Sequence, residues 1–140
     1  MKRIISANLH LILFGFVVML GSCKAQKMTS DQLMTQNYEI TQMGDRAISD
    51  SKLTLKVNPE NSTISGFSGC NNYTYSYKLD NKVVDLGYAR ATKMYCDDSM
   101  ELENLFFQKM ASVTQFENSK EAIHLKNKQG EIIIKAKKKD

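Results

Sequence analysis

After Asn37, apolar and polar residues alternate with a period of two over most of the chain, the mark of strands with one buried face. Tyr38, Ile40 and Gln42 alternate with Glu39 and Thr41, and Leu53, Leu55 and Val57 alternate with Lys52, Thr54 and Lys56. Asn58-Pro59-Glu60-Asn61 reads as a turn, because proline presets one backbone angle and asparagine tolerates the rest. Thr63 to Phe67 forms the next strand. Tyr73, Tyr75, Tyr77 and Leu79 then share one face, Asp80-Asn81 turns the chain, and Val83 to Leu86 returns it as a hairpin. A further strand is expected over Tyr88 to Met94. One segment changes period. Leu102, Leu105, Phe106, Met110 and Val113 fall at three-and-four spacing, which predicts a helix with one apolar stripe. Asp98 is its candidate N-cap, and Glu101 completes a capping-box pattern. Thr114 to Glu117, Ile123 to Lys126 and Glu131 to Lys135 finish the chain as strands. The pattern is α+β and mostly strand, with the helical stripe covering one face of a small sheet.

The first residues follow a different rule. Lys2 and Arg3 precede an apolar run that is cleanest from Leu11 to Leu20, the layout of an export signal. The run is short for a permanent span, which needs about twenty apolar residues. Leu20-Gly21-Ser22-Cys23 follows directly and resembles the bacterial lipobox. Residues 1–22 therefore read as a lipoprotein signal peptide and Cys23 as the acylated first residue of the mature chain. Acyl chains hold a protein on a membrane through about 0.8 kcal/mol per buried methylene. Ordinary secretion with cleavage after Ala25 is the rival reading. Lys24, standing where an aspartate would signal retention at the inner membrane, favours the outer membrane. Residues 23–36 are polar and read as a flexible tether, residues 37–136 as the domain, and 137–140 as a basic tail.

Composition adds limits. The chain has 140 residues, 42% hydrophobic and 24% charged, which suits one domain with a short appendage. Loss of Lys2 and Arg3 with the signal lowers the formal charge from +4 to +2, so a nucleic-acid partner is not expected. The cluster Lys135, Lys137, Lys138 and Lys139 reads as a solvated tail in preference to a phosphate site.

The densest chemistry lies in Ser65-Gly66-Phe67-Ser68-Gly69-Cys70-Asn71-Asn72-Tyr73, with a second cysteine in Thr92-Lys93-Met94-Tyr95-Cys96. With the helix segment Glu103-Asn104-Leu105-Phe106 and a closing hairpin, these segments resemble the META domain family of HslJ-like bacterial lipoproteins. The motif residues carrying the resemblance are Ser65, Gly66, Ser68, Gly69, Cys70, Asn71, Asn72, Tyr73, Thr92, Met94 and Cys96. The chain departs from the family in three places. Tyr38-Glu39-Ile40 stands for the usual Trp-x-Leu, Tyr95 for a small residue, and Ile132-Ile133-Ile134 for an aromatic-bearing strand. The resemblance implies a mostly antiparallel, curved, barrel-like sheet with one helix packed against it, and a setting in envelope stress or drug tolerance without an established reaction.

Once Cys23 is acylated, Cys70 and Cys96 are the only cysteines of the domain. In an oxidising compartment they read as a disulfide, with two buried thiols as the plain alternative and a redox-active pair last. No metal set is recognisable, since two cysteines and His124 do not make four ligands. His124 reads as a solvent-facing strand residue, Asp97 and Asp98 as capping residues, and the Tyr73, Tyr75, Tyr77 row as packing rather than a stacking platform. No cofactor and no catalysis are expected. The expected function is that of a non-catalytic envelope lipoprotein, anchored in the membrane and binding an envelope protein or lipid. A small carrier of apolar ligands is the alternative, because a barrel can hold a ligand inside.

Overall fold

In the computed structural model, residues 33–49 and 52–139 are described; the expected signal peptide, Cys23 and the expected tether up to residue 32 lie outside them. The elements follow as β1 (Gln36–Met43), β2 (Arg46–Ala47), β3 (Thr54–Asn58), β4 (Thr63–Phe67), β5 (Asn72–Asp80), β6 (Val83–Leu86), β7 (Arg90–Ala91), α1 (Met100–Met110), β8 (Gln115–Asn118), β9 (Ala122–Lys126) and β10 (Ile132–Lys138). Eight strands run side by side in the order β10-β9-β8-β6-β5-β4-β3-β1, and pairing of β1 with β10 closes them into a barrel. Every pairing is antiparallel, and the short β2 and β7 attach to β1 and β5. The helix packs against this barrel, with Phe106 and Met110 wholly buried.

The period-two pattern explains which residues fill the interior. Tyr38, Ile40, Leu55, Val57, Ile64, Tyr73, Tyr75, Tyr77, Phe116, Ile123, Leu125, Ile134 and Ala136 form one buried cluster with the helix residues. These side chains point into the barrel and form its core. The tyrosine row is core: the Tyr73 ring lies 4.7 Å from Phe106 and 5.9 Å from Tyr75, centre to centre.

Several elements differ from the sequence pattern. A β-bulge between Ile40 and Gln42 shifts the register of β1, so Met43 rather than Gln42 turns inward. An extra residue in one strand inverts the alternation beyond it. A second bulge between Ile132 and Ile134 buries Ile133 and Ile134 together. The expected Tyr88–Met94 strand shrinks to Arg90–Ala91. The β5 edge is taken by β6 along Tyr77–Asp80, and of the remainder β7 pairs with Tyr73 and Thr74 alone. The capping box does not form. Helix α1 begins at Met100 after Ser99, with no side-chain cap, and Glu101 instead meets Arg46 at 3.0 Å. The Cys96 carbonyl accepts the N–H groups of Ser99 and Met100, which replaces the side-chain cap.

The ends of the domain reach further than the alternation suggested. Leu33 is buried and Gln36 opens β1, while β10 continues through Lys138 and the Lys139 N–H donates to the Asn37 carbonyl. Lysines at a strand end hide its backbone pairing in the sequence, since their side chains only report exposure. The chain comes into the domain at the barrel end that carries Lys137, Lys138 and Lys139.

Gly66 marks a close crossing of β3 over β4. A Cβ there would lie 2.1 Å from the Thr54 carbonyl oxygen, a backbone atom that cannot swing aside. Gly66→Ala is expected to cost about 2 kcal/mol, in the range of overpacked cores. Equilibrium denaturation checks this, and a variant as stable as the parent would contradict the close crossing.

Candidate functional site

The signature loop connects β4 to β5 through Ser68, Gly69, Cys70 and Asn71. The Ser68 N–H donates to the Asn71 carbonyl at 2.8 Å and closes it. Gly69 has φ of +108°, a backbone angle that L side chains resist. Into this loop the helix inserts Glu103, which is 5% exposed. One carboxylate oxygen, Oε2, accepts the Asn71 N–H at 2.9 Å and the Ser68 hydroxyl. The other, Oε1, accepts Asn71 Nδ2 at 2.8 Å. The Asn71 side-chain oxygen in turn accepts the Thr92 hydroxyl and the Met94 N–H, both at 2.7 Å. The Cys70–Cys96 disulfide joins the same loop to the segment that leads into the helix. Three stretches distant in sequence thus meet at one buried carboxylate.

Burial pushes the Glu103 carboxyl up, but hydrogen bonds from Ser68, from the Asn71 side chain and N–H, and from the Cys70 backbone outweigh it and hold the group below its ordinary value. A carboxyl depressed on folding stabilises the protein fully above its unfolded pKa. That contribution is lost as pH falls through the folded value. Denaturation midpoints measured along an acid series are therefore expected to drop below pH about 4.3, the unperturbed glutamate value. They should drop less in Glu103→Gln.

The structure brings together Ser68, Gly69, Cys70, Asn71, Thr92, Cys96 and the backbone of Met94, whose side chain is 55% exposed. Tyr73 adjoins them from the core and donates its hydroxyl to the Thr54 carbonyl at 2.8 Å. Burial, with Tyr75 adding to it, raises the Tyr73 pKa, so this phenol stays protonated. Ser65 lies elsewhere, on the outside of the barrel, while the exposed Asn72 joins the network through its backbone, its N–H donating to the Thr92 hydroxyl at 3.2 Å and its carbonyl accepting the Thr92 N–H. Sequence reasoning named Glu103 only within the helix segment Glu103-Asn104-Leu105-Phe106 and gave it no role in the site. Its position was a readable signal, because it sits three residues before Phe106 and seven before Met110, on the buried face of the helix. His124 lies on β9 between the inward Ile123 and Leu125, partly exposed and opposite Glu117 and Lys135.

The network leaves no lone reactive group: the carboxylate accepts donors on both oxygens, and the donors belong to the loop it holds. Its chemistry is that of a clamp between helix and sheet. A second feature lies outside the barrel, where β1, β3, β4 and β5 form an open groove of about 630 Å³. Asn37, Lys56, Ser65 and Thr74 stand in register across these four strands, with Phe67 and Lys139 beside them.

A closed antiparallel barrel, covered by one helix and clamped to it through a Gly-Cys-Asn loop, defines the class of this protein. The family model described as META domain matches residues 31–140, and the chain belongs to that family. Among solved structures, the NMR structure of a protein from Burkholderia xenovorans is similar, with a TM-score of 0.61 at 20% identity over 76% of this chain and 83% of that one. That likeness concerns the fold. No curated protein matches the chain.

Proposed function

We propose that the protein is a non-catalytic lipoprotein of the cell envelope, held by lipid at Cys23, that supports the envelope under stress or drug exposure by binding another envelope component. The observation that carries this reading is the clamp. The polar residues of the family motif are committed to one another and to Glu103, in a domain fastened by a disulfide. A disulfide of this kind suits an oxidising compartment, and the leader with its lipobox is a route to one. The layout of the domain also fits a surface-held protein. Residues 24–32 let Cys23 lie at most about 36 Å from Leu33. They join the barrel at the end bearing Lys137, Lys138 and Lys139, and lysines near an anionic surface gain about 1 kcal/mol each. Lys24 after the acylated residue favours the outer membrane.

The test is a Cys23→Ser replacement in the native host. The parent is expected to fractionate with membranes and to incorporate labelled fatty acid, and the variant to do neither. Membrane retention and labelling of the variant would overturn the anchor. For the wider role, a deletion strain is expected to be hypersensitive to envelope-active compounds and to be restored by the parent but not by Cys23→Ser. Equal resistance with and without the gene would overturn it.

A further inference from the structure

The groove and the clamp treat their polar groups in opposite ways. Inside the clamp every side chain has a partner. Along the groove, Asn37, Lys56, Ser65, Thr74 and Lys139 make no side-chain hydrogen bond or ion pair among the described residues, and no carboxylate lines it. Its volume of about 630 Å³ falls within the range of ligand sites. The register Asn37, Lys56, Ser65, Thr74 places one polar side chain on each of four neighbouring strands. Strands lie about 4.8 Å apart, so these groups form a row with a step close to the length of one sugar ring. Arg90, paired with Thr74, extends the row by one strand.

We infer that this groove binds an acidic oligosaccharide, a chain of sugar units bearing carboxylate or phosphate groups, laid across the strands. The amide and hydroxyl side chains match ring hydroxyls, the half-buried Phe67 ring offers a flat apolar surface for a sugar face, and Lys56 and Lys139 supply the charge. Single-stranded nucleic acid fits less well, because such sites stack successive bases on several aromatic rings and this groove has Phe67 as its one outward ring. The inference rests on the binding role proposed above and names its site and ligand class.

The experiment uses the full acylated chain in detergent micelles, titrated by calorimetry with tetragalacturonate, with its methyl ester, and with a ten-residue oligothymidylate. Tetragalacturonate is expected to bind, and the uncharged ester at least tenfold more weakly. Lys56→Gln and Phe67→Ala are each expected to weaken binding at least fivefold, while Lys128→Gln, on the turn before β10, leaves it unchanged. Circular dichroism melts confirm that each variant is folded, and Lys56→Gln carries the test if Phe67→Ala is not. No binding of tetragalacturonate, equal affinity for the ester, equal loss from Lys128→Gln, or tighter binding of the oligothymidylate would each overturn the inference. Uronate binding by a chain that fails the Cys23 test would keep the groove and remove the envelope reading. An anchored chain that binds no acidic sugar would do the reverse.

Discussion

Glu103→Ala is expected to destabilise the domain by about 4 kcal/mol, the largest effect of any single substitution considered for this fold. The alanine removes both acceptor oxygens, strands the Asn71 N–H, and leaves the Ser68 hydroxyl and the Asn71 amide only the neutral Asn71 and Met94 carbonyls in place of a carboxylate. Each buried donor left unsatisfied costs about 1–3 kcal/mol, and hydrogen bonds to a charged acceptor lie at the upper end. Ser68 is wholly buried and Asn71 is 3% exposed, so water reaches neither without opening the loop. Glu103→Gln keeps the shape and one acceptor, but sets an amide N–H₂ against the Asn71 donors. Its cost is expected to be about half as large. Urea denaturation measures both through the midpoint, with the slope unchanged if only stability has moved. A loss below 1 kcal/mol in Glu103→Ala would show that the carboxylate is not a clamp.

Removal of the disulfide is the second large effect. Cys70 and Cys96 are 26 residues apart, and closing a loop of that length contributes about 3.5 kcal/mol by the chain-entropy estimate. The Cys70→Ser/Cys96→Ser double variant is expected to lose about that much. The disulfide and the carboxylate hold the same loop against the same helix, so their effects should not add. Once the bridge is gone, Glu103→Ala should cost at least 1 kcal/mol less than in the bridged protein, as expected for residues sharing one network. Additive losses would mean that the two fasteners act on separate parts of the fold.

The strands that close the barrel were legible because their alternation is strong: Leu55 and Val57, Tyr73, Tyr75 and Tyr77, and Ile123 and Leu125 all face inward as the pattern requires. The two β-bulges were not, because an inserted residue leaves no compositional trace; Met43 and Ile133 are buried only through them. The helix was legible from its stripe, but its start was misread, because Asp98 and Glu101 fit a capping rule that the Cys96 carbonyl satisfies instead. Glu103 was legible as the first residue of the helix segment Glu103-Asn104-Leu105-Phe106, and its burial depends on where the β4–β5 loop lies in space. The Cys70–Cys96 pairing followed from export and an even count, and the structure joins them. The groove was hidden for a simpler reason. Outward strand residues such as Asn37, Ser65 and Thr74 resemble any solvated face until the register aligns them.

If the family motif is a mechanical clamp between helix and barrel, Glu103 and Asn71 are energetically coupled, and a double-mutant cycle between Glu103→Ala and Asn71→Ala measures that coupling. Asn71 gives Glu103 two hydrogen bonds and takes two more from Thr92 and Met94. The account predicts a coupling of about 2 kcal/mol between the two substitutions in equilibrium denaturation, within the range for residues in one buried network. Losses that add to within about 0.5 kcal/mol, as for independent sites, would contradict it.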